Sequence, residues 1–118
     1  NTMYLKEFYD EIGGNYQTAR KRFFTDAMLL KFLDKFLEEP CYTDLCEALD
    51  HNDREAAIHA AHTLSAQARG FGFTELEKNS AALMQALRCG NDPALEELRD
   101  RVMVNYCAVA RRLRMLER

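Results

Sequence analysis

Residues 53–73 read DREAAIHAAHTLSAQARGFGF, and the spacing within this stretch decides the fold. The polar turn His51-Asn52 precedes it, alanine, the strongest helix former, recurs through it, and Gly70 and Gly72 supply an exit. A helix over 53–69 is therefore predicted. At about 100° per residue, Ala57, Ala61, Leu64, Ala68 and Phe71 gather in one arc, which must be the buried face. His62 falls roughly 140° from the middle of that arc and is expected to point to solvent. Around it, Glu55, Ile58, His59, Ser65, Ala66 and Arg69 form a mixed face on which an exposed Ile58 beside an exposed histidine points to docking. An exposed imidazole is mostly neutral at neutral pH and keeps a ring nitrogen free, a competent nucleophile toward phosphorus. The bland alternative is an ordinary surface histidine.

Outward from this helix the apolar residues keep helical spacing almost everywhere, and only two prolines and five glycines occur, so essentially no strand is expected. Upstream, Leu5, Phe8, Tyr9 and Ile12 share one face, Gly13-Gly14 stops that helix, and a short helix follows from Asn15. Thr25 and Asp26 can cap a helix with a broad apolar face from Leu29 to Leu37. Because Leu45, Ala48 and Leu49 continue the spacing past Pro40, one bent helix running to about Asp50 is expected. Downstream, Thr74-Glu75-Leu76-Glu77 reads as a capping box for a helix aligning Leu76, Ser80, Leu83 and Leu87. Asp92-Pro93 then opens a last helix whose apolar residues repeat from Leu95 through Val102 and Val109 to Leu116. Short loops between such helices predict an all-α bundle of antiparallel neighbours.

At 118 residues with 47% hydrophobic side chains, a single domain over 1–118 can bury its own core. The balance of 16 basic and 19 acidic residues lacks the basic field that nucleic-acid binding requires. No apolar run reaches the length of a membrane span and no secretory leader pattern stands at the start, so a cytoplasmic protein without membrane attachment, monomeric by default, is expected. Asn1 and Thr2 precede Met3, which leaves open a longer parent chain or a processed end. Cys41, Cys46, Cys89 and Cys107 lack ligand or redox-motif spacing and read as reduced thiols. Glu55, His59 and His62, at i, i+4 and i+7, can in principle hold a surface Zn2+, but no fourth ligand is visible and no metal site is expected. Arg111, Arg112, Arg114 and Arg118 are read as a solvated basic end that favours the helix dipole.

The segment from Ala61 to Phe73 resembles the phosphorylation helix of the histidine-containing phosphotransfer (HPt) domains, whose pattern is H-x-L-K-G, then a small residue, then a glycine ten positions after the histidine. His62, Leu64, Ala68 and Gly72 match it, and FLEEP at 36–40, the polar turn before Ala56-Ala57 and FGFTELEK at 71–78 extend the similarity over nearly the whole chain. The resemblance implies an up-and-down four-helix bundle with an additional N-terminal helix, a structural glycine at Gly72 and a phosphoacceptor at His62. It implies a phosphorelay carrier that exchanges a phosphoryl group with response-regulator receiver domains or a histidine kinase. Such a carrier is not itself an enzyme: it needs no cofactor, and the partner receiver supplies Mg2+ and acid catalysis. Two positions depart from the pattern. Ser65 stands where the family has lysine, removing an electrostatic contribution of about 1–2 kcal/mol but keeping a hydroxyl donor. Ala66 stands where it has glycine, adding a methyl group on the receiver's approach. Arg69, about 20° from His62 by the same angular count, is expected to return part of the lost charge near the phosphate. The alternative to a carrier is a degenerate interaction module that binds a receiver or kinase without accepting phosphate.

Overall fold

The computed structural model describes residues 3–117; Asn1, Thr2 and Arg118, the last residue of the basic end, lie outside the described residues. The helices are α1 (Leu5–Glu11), α2 (Tyr16–Phe23), α3 (Asp26–Phe36), α4 (Cys41–Asp50), α5 (Arg54–Gly70), α6 (Thr74–Cys89) and α7 (Leu95–Leu113), and a 3-10 turn, Asp92–Ala94, leads into the last. Among the described residues no strand forms, and the ends are tied by a single parallel bridge between Met3 and Leu116. There Met3 N–H donates to the Met115 carbonyl at 2.8 Å and Glu117 N–H donates to that of Met3 at 2.7 Å.

Helices α4 to α7 form the bundle: α4 packs on α5, α5 on α6 and α6 on α7. Across the closing seam, Tyr42 of α4 stacks on Tyr106 of α7 with ring centroids 3.9 Å apart, and Arg99 of α7 donates to Asp50 of α4 at 2.7 Å. The interior is apolar, with Leu29, Leu33, Leu45, Leu64, Leu76, Leu83, Val102 and Leu113 all buried. At one end Phe8 and Tyr9 of α1, Phe36 of α3 and Phe71 after α5 surround Phe73 at centroid distances of 5.2 to 6.0 Å. Edge-on and tilted ring contacts of this kind add about 0.5–1.5 kcal/mol per pair beyond area burial.

Three local expectations are corrected. The bent helix across Pro40 is two helices, because the turn at 37–40 closes on short-range bonds from Glu38 N–H to Lys35 O and Glu39 N–H to Phe36 O, and Pro40 stands at the start of α4. The capping box at 74–77 does not form: buried Phe73 occupies the N-cap position of α6, and the Glu77 carboxylate turns to Arg69 instead. The last helix stops at Leu113, and Leu116 reaches the core through its bridge to Met3.

Candidate functional site

Helix α5 is started by Asp53, whose Oδ1 accepts from Ala56 N–H at 3.2 Å. Its buried residues, Ala57, Ala60, Ala61, Leu64, Ser65 and Ala68, are nearly all small, so α4 and α6 approach its backbone closely on either side. Along its outer face runs one stripe: Glu55, His59, His62, Ala66 and Arg69, at successive steps of four and three residues, are all exposed. His62 stands in the middle. Neither it nor Glu55 or His59 has a polar side-chain partner among the described residues, so both imidazole nitrogens of His62 are open to an incoming group.

Two neighbours of His62 are placed otherwise than expected. Ser65 is 4% exposed and its hydroxyl donates to the Glu77 carbonyl across the α5–α6 seam at 3.3 Å, so it faces α6 rather than the ligand space beside His62. Ile58 is half-buried and packs against the core rather than standing free among polar groups. Ala66 is exposed, with its methyl group one turn beyond His62. Arg69 is exposed too, but its Nε donates to Glu77 Oε2 at 2.6 Å. A surface pair of this kind contributes about 0–1 kcal/mol, so a new anion near His62 can compete for the guanidinium.

Glu77 is the residue the sequence reading missed. Its signal was present, since an acidic side chain in the first turn of α6 follows directly on the turn that ends α5, but its pairing with Arg69 requires the antiparallel register of the two helices.

Gly72 stands in the turn between the two helices. Its φ is +73°, and a Cβ built there would lie 2.2 Å from the Asn15 carbonyl oxygen. In return Asn15 N–H donates to the Gly72 carbonyl at 2.7 Å, which seats the start of α2 on the α5–α6 turn.

On the other flank of α5 a groove of about 570 Å3 runs between α4 and α5, reached by His59, Thr63 and Gln67 and walled by Asp44, Glu47 and Asp53. Cys41 lies on its floor, its thiol donating to Gln67 Oε1 at 3.1 Å and pushed up to about 11, first by burial and then by the charge of Glu39. It is therefore protonated at neutral pH. All four cysteines are free thiols, Cys41 buried, Cys46 half-buried and Cys89 and Cys107 exposed. Among the described residues no group of three or more His, Cys, Asp and Glu side chains is placed to hold a metal ion, and Glu55, His59 and His62 do not make one. No helix among them is long and apolar enough to cross a membrane.

The stripe thus offers an exposed imidazole nitrogen with no hydrogen-bond partner among the described residues. Such a nitrogen, open to an incoming group and flanked on its own helix face by Glu55, His59 and Arg69, can accept and release a group brought to it by another protein. Among known families, the model described as Hpt domain matches residues 28–118. No curated protein and no solved structure matches the chain.

Proposed function

Because this chain belongs to the Hpt domain family, whose coarse role is histidine phosphotransfer in phosphorelays, we propose that His62 is its phosphoacceptor and that it shuttles a phosphoryl group to or from receiver-domain aspartates or a histidine kinase. The observation that carries this reading is the unpartnered, exposed His62 at the centre of the α5 stripe. A ring nitrogen of His62 attacks phosphorus, the new P–N bond forms as the acyl P–O bond of the partner's aspartyl phosphate breaks, and the aspartate leaves as carboxylate. The reverse step returns the group. The partner receiver supplies Mg2+ and acid catalysis, so the protein is a carrier rather than a catalyst and has no cofactor of its own. It works as a cytoplasmic monomer. Glu55, Ile58, His59 and Ala66 form the docking surface around His62, and Arg69 is the cation that can leave Glu77 for the phosphate.

A second reading is favoured by one observation, the inward-facing Ser65: with its hydroxyl turned to the Glu77 carbonyl and away from His62, the stripe can bind a receiver without supporting transfer. The two readings separate on transfer from a phosphorylated receiver domain. The carrier moves phosphate onto His62 in the presence of Mg2+, chelation of Mg2+ stops the transfer, and His62→Gln abolishes it. Saturable receiver binding by the wild type with no phosphate moved would establish the interaction module instead.

A further inference from the structure

Where α2 and α3 meet the end of α5, a second groove of about 460 Å3 is floored by aromatic rings. Phe23 stacks on Phe32 at 5.1 Å and on Phe71 at 5.2 Å, and Phe32 and Phe71 are only half-buried. Two cations stand on these rings: the Arg22 guanidinium 5.3 Å from the centre of Phe23 and the Lys35 ammonium 5.4 Å from that of Phe32. Neither makes an ion pair among the described residues, whereas Arg20, two residues before Arg22, is tied to Asp26 at 2.9 Å. Arg22 is also steered by the backbone, since its Nη1 lies where a Cβ on Gly70 would be, 2.2 Å from that position. The groove is therefore apolar within and positively charged at its rim.

Beside it the chain holds two large apolar side chains in water, Phe24 at 71% exposure and Met28 at 43%. Phe24 has φ +62°, a conformation that an aromatic residue rarely adopts and that costs about 1–3 kcal/mol. It is held there by its own N–H donating to the Arg20 carbonyl at 2.8 Å and by Arg20 Nη2 donating to the Phe24 carbonyl at 2.6 Å. A ring pinned outward at a conformational cost, next to an aromatic floor and two unpaired cations, makes a surface shaped for a partner.

We propose that this groove is a second docking site, distinct from the His62 stripe, and that its occupant is an amphipathic helix of a partner protein with apolar residues on one face and carboxylates beside them. Charge decides the sign of that occupant: Arg22 and Lys35 welcome carboxylates, and the one acid on the lining, Glu39, lies where α3 gives way to the turn before Pro40. Phe71 is nine residues past His62, about 13 Å along the helix axis, and on the opposite arc of α5. A partner seated there leaves the His62 stripe open and raises the local concentration of whatever it carries toward it.

The test uses the whole chain, isotope-labelled for NMR, and two stapled helical peptides of about 15 residues with leucine on one face, one flanked by glutamate and the other by lysine. The proposal expects saturable shifts from the glutamate peptide centred on Phe23, Phe32 and Phe71, at least about tenfold weaker binding of the lysine peptide, and a similar loss in the Arg22→Glu/Lys35→Glu variant. Phe24→Ser/Met28→Ser, two exposed changes, is expected to weaken the glutamate peptide while the melting temperature stays near wild type. Shifts centred on the His62 stripe or elsewhere, equal binding of both peptides, no effect of the variants, or no saturable shift would each overturn it.

Discussion

The turn that ends α5 and the stripe that carries His62 belong to one helix and are built in opposite ways. At the turn almost every group is held: Gly72 is clasped by Asn15, the Tyr9 hydroxyl donates to the Phe71 carbonyl at 2.7 Å, and Phe73 lies among four aromatic rings. On the stripe, Glu55, His59 and His62 have no polar side-chain partner among the described residues. The difference separates residues that position from residues that react. Polar groups saturated inside the molecule have no hydrogen bond left to give, and a group meant to react with a partner must be left unsaturated and exposed.

That contrast breaks most readily at Gly72. Gly72→Ala forces a side chain onto a φ of +73° and into the Asn15 carbonyl, and is expected to cost about 3 kcal/mol or more, lowering the melting temperature by roughly 10 °C. An unchanged melting curve would show that the seat of α2 on this turn contributes little.

The next effect is alkaline. The Cys41 thiol ionises near 9.0 when unfolded and is pushed up to about 11 in the folded chain, so the unfolded state loses its proton first and stability falls as pH rises from about 9 to 11. Burial raises the Tyr9 phenol in the same direction and adds to the fall above pH 10. Denaturant midpoints measured from pH 8 to 11 should decline in the wild type and less steeply in Cys41→Ala. Equal slopes would mean that Cys41 is not held in its neutral form by burial.

Smaller changes sharpen the comparison along the edge of the stripe. Ser65→Ala removes one bond to the Glu77 carbonyl and is expected to cost about 1 kcal/mol or less in chemical denaturation, with phosphate uptake by His62 unchanged. A sharp fall in uptake would return Ser65 to the reactive side. Glu77→Gln frees Arg69 and is expected to raise the rate of transfer about two- to threefold, while Arg69→Ala lowers it by a similar factor. Identical rates in the wild type and both variants would leave Arg69 an ordinary surface residue.

How much of this was legible depended on angle and on register. Helix α5, the burial of Ala57, Ala61, Leu64 and Ala68 and the exposure of His62 followed from spacing alone, because alanine and leucine mark the arc densely and His62 lies far from its centre; Phe71, assigned to the same arc, stands past the end of α5 and is only half-buried. Ser65 and Ile58 lie at roughly 80° and 100° from that centre, the margin of the arc, where burial is decided by how closely α6 approaches and not by the helix's own pattern. The break at Pro40 was hidden because α3 and α4 bury their apolar faces in the same core, so the spacing continues across a chain that does not. The capping box failed for a tertiary reason: the buried Phe73 starts α6 one residue early, so Thr74 is not its N-cap, and Glu77 is left to pair with Arg69. The aromatic groove was invisible because its rings come from three helices that only packing brings together.

The central claim, that His62 is left open in order to carry phosphate, is tested most directly by exposing the chain to a small phosphoramidate donor and reading acid-labile phosphate by intact mass, beside His62→Gln. One phosphoryl group is expected on the wild type and none on the variant. Phosphate on neither protein, or equally on both, would contradict it.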